Sequence, residues 1–154
     1  MALVSVGFRR QITFPALWFY VYDEDIPFAR VHSPSWKSPA NAPDGCSSLQ
    51  FEIYYSKERP LTLDNKALVE TVLACMERMN LARREDVCVC DCRHVQYGNV
   101  IYYLGMEQHR DVVRHAVEAQ DVTMCGRFGE WGYLWSDQSF LSGRQAVQRV
   151  CADA

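Results

Sequence analysis

The hydrophobic period of this chain switches from that of a strand to that of a helix near residue 60, and the switch limits the folds open to it. Before it, β-branched and aromatic residues come in short runs. Leu3–Phe8 reads as a strand, and Pro15–Tyr22 holds Leu17-Trp18-Phe19-Tyr20-Val21-Tyr22, the most strand-prone stretch of the chain. Asp23-Glu24-Asp25 makes a turn, and Phe28–His32 returns as the second arm of a hairpin. Ser48–Tyr55 alternates cleanly, with Leu49, Phe51, Ile53 and Tyr55 on one face and Gln50, Glu52 and Tyr54 on the other. From Asp64 to Asn80 the apolar residues fall at helical spacing (Leu68, Val69, Val72, Leu73, Met76, Met79), with Asp64 as N-cap.

Later segments repeat both periods. Val87–Val95 alternates, Gly98–Leu104 reads as strand through Val100, Ile101, Tyr102 and Tyr103, and Val122–Cys125 is a short strand closing on Gly126. Glu107–Ala119 is a helix expected to turn Val112, Val113, Ala116 and Val117 inward, and Asp137–Cys151 is the last helix, through Phe140, Leu141, Val147 and Val150. Strands precede the first helix, so the class is α+β: a mostly antiparallel mixed sheet of six or seven strands with about three helices. The 154 residues read as a single domain with no repeat and no internal linker. The 33–47 stretch, rich in Ser, Pro, Asn and Gly, is a loop long enough to suggest a function.

Composition narrows the function classes. The chain is 49% hydrophobic, with a net charge of -3 and a pI near 5.8. That supports a packed core and argues against a nucleic-acid or anionic-membrane binder, which would be basic. No apolar run is long enough to span a membrane. The start has no signal-peptide build, because Arg9 and Arg10 follow the apolar stretch instead of preceding it. Together these features predict a cytoplasmic protein, and seven cysteines at irregular spacing fit free thiols in that setting. Thirteen of the 16 cationic residues are Arg, a bias that suits bidentate anion contacts and also follows from a GC-rich genome.

Cys88, Cys90, Cys92 and His94 alternate along one strand and would share a face. Tetrahedral zinc needs thiolates about 3.8 Å apart, whereas residues i and i+2 of a strand lie about 6.5–7 Å apart. No metal site is expected there. The four histidines, His32, His94, His109 and His115, form no ligand spacing. There is no serine elbow and no G-x-G-x-x-G after a strand, so the chain has no dinucleotide fingerprint of its own.

The informative segment is Cys125–Gly143. A Gly126-Arg127 pair leads into an aromatic loop with Trp131, Tyr133 and Trp135, and then into a helix N-terminus near Asp137–Ser139. This combination suits a planar anionic ligand: Arg127 can pair with phosphate, the aromatics offer flat faces, and the helix start offers free N–H groups.

The string Gly126-Arg127-Phe128-Gly129-x-Trp131-x-Tyr133-x-x-x-Asp137-x-x-x-x-Ser142-Gly143-x-x-Ala146 resembles the C-terminal signature of FAD-dependent amine-oxidase-type oxidoreductases, in the branch of UDP-galactopyranose mutase and protoporphyrinogen oxidase. Upstream, Asp25-Ile26-Pro27-Phe28-x-Arg30-Val31, Ser33-Pro34-Ser35, Ser38-Pro39, Ala42-Pro43, Gly45-x-Ser47-Ser48-Leu49-Gln50-x-Glu52 and Arg83-Arg84-Glu85-Asp86-Val87 are similar to the substrate-domain sheet of that branch. The resemblance runs in order from Leu3 to about Ala146.

The resemblance implies a fold and a set of contacts. Residues 1–120 would correspond to the substrate domain, and 121–154 to the flavin-contacting strand, loop and C-terminal helix. Arg127 would approach the ribityl-pyrophosphate of FAD, and the backbone near Ser136, Asp137 and Gln138 would face the isoalloxazine. Gly126 and Tyr133 would also belong to the cofactor-binding residues, and Tyr97 and Tyr102 would lie on the substrate side. Two departures are visible: Gly98-Asn99 stands where the family often has Tyr-Pro, and Ser136 where Met is common. Family members are far longer, and the N-terminal Rossmann part with its glycine loop and ribose-binding acid has no counterpart in these residues.

The resemblance therefore implies a C-terminal fragment or subunit of an FAD-dependent oxidoreductase or mutase-like flavoprotein, inactive alone, with FAD bound weakly or not at all by the isolated chain. Its partner would be a separate FAD-binding chain or a second copy in a homodimer. Two other readings stand beside this one. The chain could be a stand-alone ligand-binding or protein-interaction module derived from that fold, or a small enzyme using the 33–47 loop with Tyr97 and Tyr102. The substrate is unspecified.

Overall fold

The computed structural model, which describes residues 1–14 and 16–152, folds five strands into one sheet. They are β1 (Ala2–Phe8), β2 (Trp18–Tyr20), β3 (Arg30–His32), β4 (Ser47–Ile53) and β5 (Val87–His94), in the order β2-β3-β4-β1-β5. Every pairing is antiparallel. Helices α1 (Pro34–Lys37) and α2 (Asn65–Arg78) complete a first compact unit, Met1–Gln96. Helices α3 (Met106–Glu118), α4 (Gly126–Gly129) and α5 (Ser136–Ala152) form a second, Tyr97–Ala154. The α+β class and the antiparallel sheet are as expected. None of the described helices is long and apolar enough to cross a membrane.

The register builds the core of the first unit. Phe19, Val31, Phe51, Val4 and Cys92 stand in one row across all five strands. The next rows add Val6 with Leu49 and Cys90, and Ala2 with Ile53. This face packs with Leu68, Val72, Leu73 and Met76, the buried stripe of α2. Each such side chain contributes about 1.5–3 kcal/mol on full burial. Asp64 caps α2 as its sequence predicts, its carboxylate accepting from the Ala67 N–H at 2.8 Å. Cys90 and Cys92 serve as small apolar side chains against the core, and burial raises both thiol pKa values.

Several expectations are corrected. The strand expected at Pro15–Tyr22 shrinks to Trp18–Tyr20, and Pro15 lies outside the described residues. The 33–47 loop contains α1 and a 3-10 turn at Pro39–Asn41. No strand forms at 98–104 or 122–125, which reduces the expected six or seven to five. Strand propensity in these segments goes unused because a strand needs a neighbour to pair with. Tyr103 instead closes a turn into α3, with Gly105 at φ 84°, and the Gly126 N–H bonds to a side chain. Cys88 leaves the face it was expected to share with Cys90 and Cys92. The register jumps from Gly7↔Val89 to Phe8↔Val87, and Cys88 is the extra residue of this bulge.

Helices α3 and α5 are where expected but turned differently. Val112, Val113 and Ala116 are exposed, and the buried residue of α3 is Met106. On α5 the buried residues are Ser142 and Ala146, while Phe140, Val147 and Val150 are exposed.

Candidate functional site

All eight residues singled out for cofactor or substrate contact lie in the second unit. Gly126 opens α4 with φ 74°, a left-handed conformation that favours glycine. Its N–H donates to Ser142 Oγ at 2.8 Å, tying the start of α4 to α5, and Ser142 Oγ in turn donates to Glu130 Oε1. Arg127 therefore leaves a fixed point. Its Nη2 donates to Asn99 Oδ1 at 2.7 Å, and its guanidinium lies over the Tyr133 ring, 5.0 Å from the centroid. Tyr102 meets Tyr133 edge-on at 6.4 Å. The Arg127 Nε is buried and has no partner among the described residues. A planar cation held on one side by a ring and at one nitrogen by an amide retains donors for an incoming anion.

Arg127, Tyr133 and Tyr102 thus come together, and Gly126 anchors them. Asn99 is the residue that sequence reasoning missed as a partner. The signal available was its place in Gly98-Asn99, where the family differs. Tyr97 is exposed and joins no described contact of this cluster.

Ser136, Asp137 and Gln138 form the first turn of α5, where an α-helix offers its own N–H groups no carbonyl. Gln138 Oε1 accepts the Trp135 N–H at 2.8 Å, which is half of a capping box. Asp137 is the acidic residue of that first turn and already complements the positive helix end. The Gln138 and Asp137 side chains therefore stabilise the helix, and the backbone N–H groups of the turn face outward from its start, open to a ligand. Between the two sits Trp131, with φ 47° at the exit of α4. That region costs a bulky residue roughly 1–2 kcal/mol, and glycine is usual there.

The first unit carries a separate polar cluster. Glu52 is 3% exposed. It pairs with Arg30 Nη2 at 2.5 Å and accepts from Tyr54 Oη at 2.7 Å. Burial, followed by the hydrogen bond to Glu52, pushes the Tyr54 phenol up to about 12. His32 Nδ1 lies 3.8 Å from Glu52, yet burial and the charge of Lys37 hold its pKa below the ordinary value. Near the opposite ends of the strands, the 34–43 segment helps line a cavity of about 370 Å³.

No protein-family model matches the chain, and no curated protein does. Among solved structures the chain is similar to reduced UDP-galactopyranose mutase, with a TM-score of 0.83 and 25% identity. The match covers 99% of this chain and 34% of that one, so the chain spans about a third of the length of the structure it resembles. The chain is related to part of the FAD-dependent flavoprotein superfamily that includes UDP-galactopyranose mutase.

Proposed function

We propose that these residues form the flavin-contacting and substrate-side part of an FAD-dependent oxidoreductase or mutase, as a fragment or a subunit, and that a dinucleotide-binding part outside these 154 residues completes it. The observation that carries this reading is Arg127, with its guanidinium over Tyr133, Nη2 on Asn99 and Nε unpartnered among the described residues, within a fold shared with UDP-galactopyranose mutase. The residues fit one end of FAD. Arg127 binds the pyrophosphate, Asn99 and Tyr133 orient it, and Gly126 lets the backbone approach closely. The N–H groups of Ser136, Asp137 and Gln138 face the electron-rich edge of the ring system, and Tyr97 and Tyr102 stand on the substrate side. When bound, FAD supplies a redox-active ring.

The 154 residues hold no phosphate-binding glycine loop. Arg127 and a helix start make too few contacts to offset the ordering of so large a ligand. The isolated chain is accordingly colourless and inactive. A titration of the purified chain by FAD fluorescence anisotropy tests this. Weak saturable binding is expected, weaker still for riboflavin, which lacks the pyrophosphate, and Arg127→Gln removes the difference. Flavin retained through gel filtration, or Arg127→Gln with unchanged FAD binding, would overturn the reading.

A further inference from the structure

Helix α3 carries an unusual stripe, in which Met106 is buried, Arg110 and Arg114 are half-buried, and His109 and Val113 are exposed. Met106, His109, Arg110, Val113 and Arg114 follow each other at helical spacing on one face. They line a cavity of about 230 Å³ with Met124, Phe128 and Trp131. Val112 and Ala116 of the same helix are exposed. Arg110 and Arg114 are half-buried along the cavity while Val112 stands in solvent and Val113 is exposed at the cavity's edge, the reverse of what packing alone selects. Such local reversals are expected where a site is built.

We propose that this cavity is a binding site for a small aryl carboxylate. The walls are aromatic and thioether: Phe128 and Trp131 are in contact at 6.1 Å between ring centroids, with Met106 and Met124 beside the same cavity. Methionine and aromatic walls suit a flat apolar body. No carboxylate among the described residues lines the cavity, and Asp111 pairs with Arg110 beside it, so the charge complement is a single anion. Arg114 spends one nitrogen on the Glu130 carbonyl at 3.2 Å, and Arg110 pairs with Asp111 through Nε at 3.3 Å. Each retains terminal N–H groups for an incoming carboxylate. The volume lies below the roughly 300 Å³ of the smallest drug-sized pockets, which limits the ligand to about one ring. Trp131 contributes a second, independent observation: its backbone is held at φ 47° while its indole lines this cavity. A strained, bulky residue persists where its side chain has a task. The site is distinct from the Arg127 cluster and does not rest on the flavin reading.

The probe is phenylacetate, with phenylacetamide as its neutral counterpart, added to the nitrogen-15-labelled chain. Saturable movement of the Trp131 indole N–H resonance, identified through Trp131→Phe, is expected with phenylacetate. The amide should bind about tenfold more weakly, the discrimination typical of a lost charged hydrogen bond. Arg110→Gln is expected to weaken phenylacetate by a similar factor, and Val113→Phe, at a half-exposed position, to fill the cavity and abolish binding. Equal responses to acid and amide, no saturation, or wild-type binding by both variants would overturn the site.

Discussion

Glu52 shows how one residue organises a sheet face. It sits on β4 opposite Arg30 of β3, and the register Arg30↔Glu52 brings the ion pair together. Alternation placed Glu52 on the face away from Leu49 and Phe51. It could not show that the position is buried, because burial depends on which strand lies alongside. Tyr54, two residues on, donates to Glu52, and its phenol is raised to about 12 against an ordinary 10.0. The folded state thus holds the proton more tightly than the unfolded state. This stabilisation is fully present below pH 10 and is lost as pH rises through about 12. Tyr54 is half-exposed, so solvent reduces the effect below what the shift alone would supply. Alkaline titration of phenolate absorbance in the wild type and Tyr54→Phe checks this. The wild type shows a late component near 12 that the variant lacks. A variant whose curve differs only by an ordinary tyrosine would refute it.

The β1–β5 pair shows which part of an element a sequence exposes and which it conceals. The period-two patterns of Leu3–Phe8 and Val87–Val95 locate both strands, but the bulge at Cys88 has no sequence mark. Beside it, across the pair, Gly7 meets Val89. A Cβ built on Gly7 would come 2.7 Å from Val89 Cγ1, so glycine is needed for close approach and not for its dihedral freedom. Gly7→Ala is expected to destabilise the chain by about 1–2 kcal/mol through overpacking. Val89→Ala in the same chain removes the clashing methyl and recovers most of the loss. Urea unfolding of the single and double variants measures the coupling, and additive losses would show that the contact does not govern this pair. Helix α2 was fully legible, since its stripe and Asp64 cap are local. The 98–104 and 122–125 segments were not, because their β-prone residues describe a pairing that has no partner here.

At the scale of the molecule, the two units bury apolar surface very differently. The core cluster lies wholly in Met1–Gln96, whereas the buried apolar residues described in Tyr97–Ala154 are Val100, Met106 and Ala146. Helix α5 makes the imbalance plain: its buried side chains are the small Ser142 and Ala146, while Phe140, Val147 and Val150 stand exposed. The site residues of this unit were legible as types in the motif 126–146. Their geometry was not, because it depends on Asn99, which is distant in sequence and was visible only as a departure from the family pattern. Phe128, Tyr133 and Trp135 add exposed aromatic surface in the same unit. A contiguous apolar patch beyond a few hundred Å² is seldom left bare on a soluble monomer, and a helix face patterned this way acquires a cover. In the absence of an FAD-binding chain the available cover is a second copy, and we expect a homodimer with the 126–140 segment and the Phe140–Val150 stripe in the interface. Light scattering at micromolar concentration should give twice 17.8 kDa. Phe140→Ser with Val147→Ser should return the chain to 17.8 kDa with its helix content intact. A wild-type monomer whose Trp131 and Trp135 resist an aqueous quencher would defeat the expectation, because the chain would then be covering that surface itself.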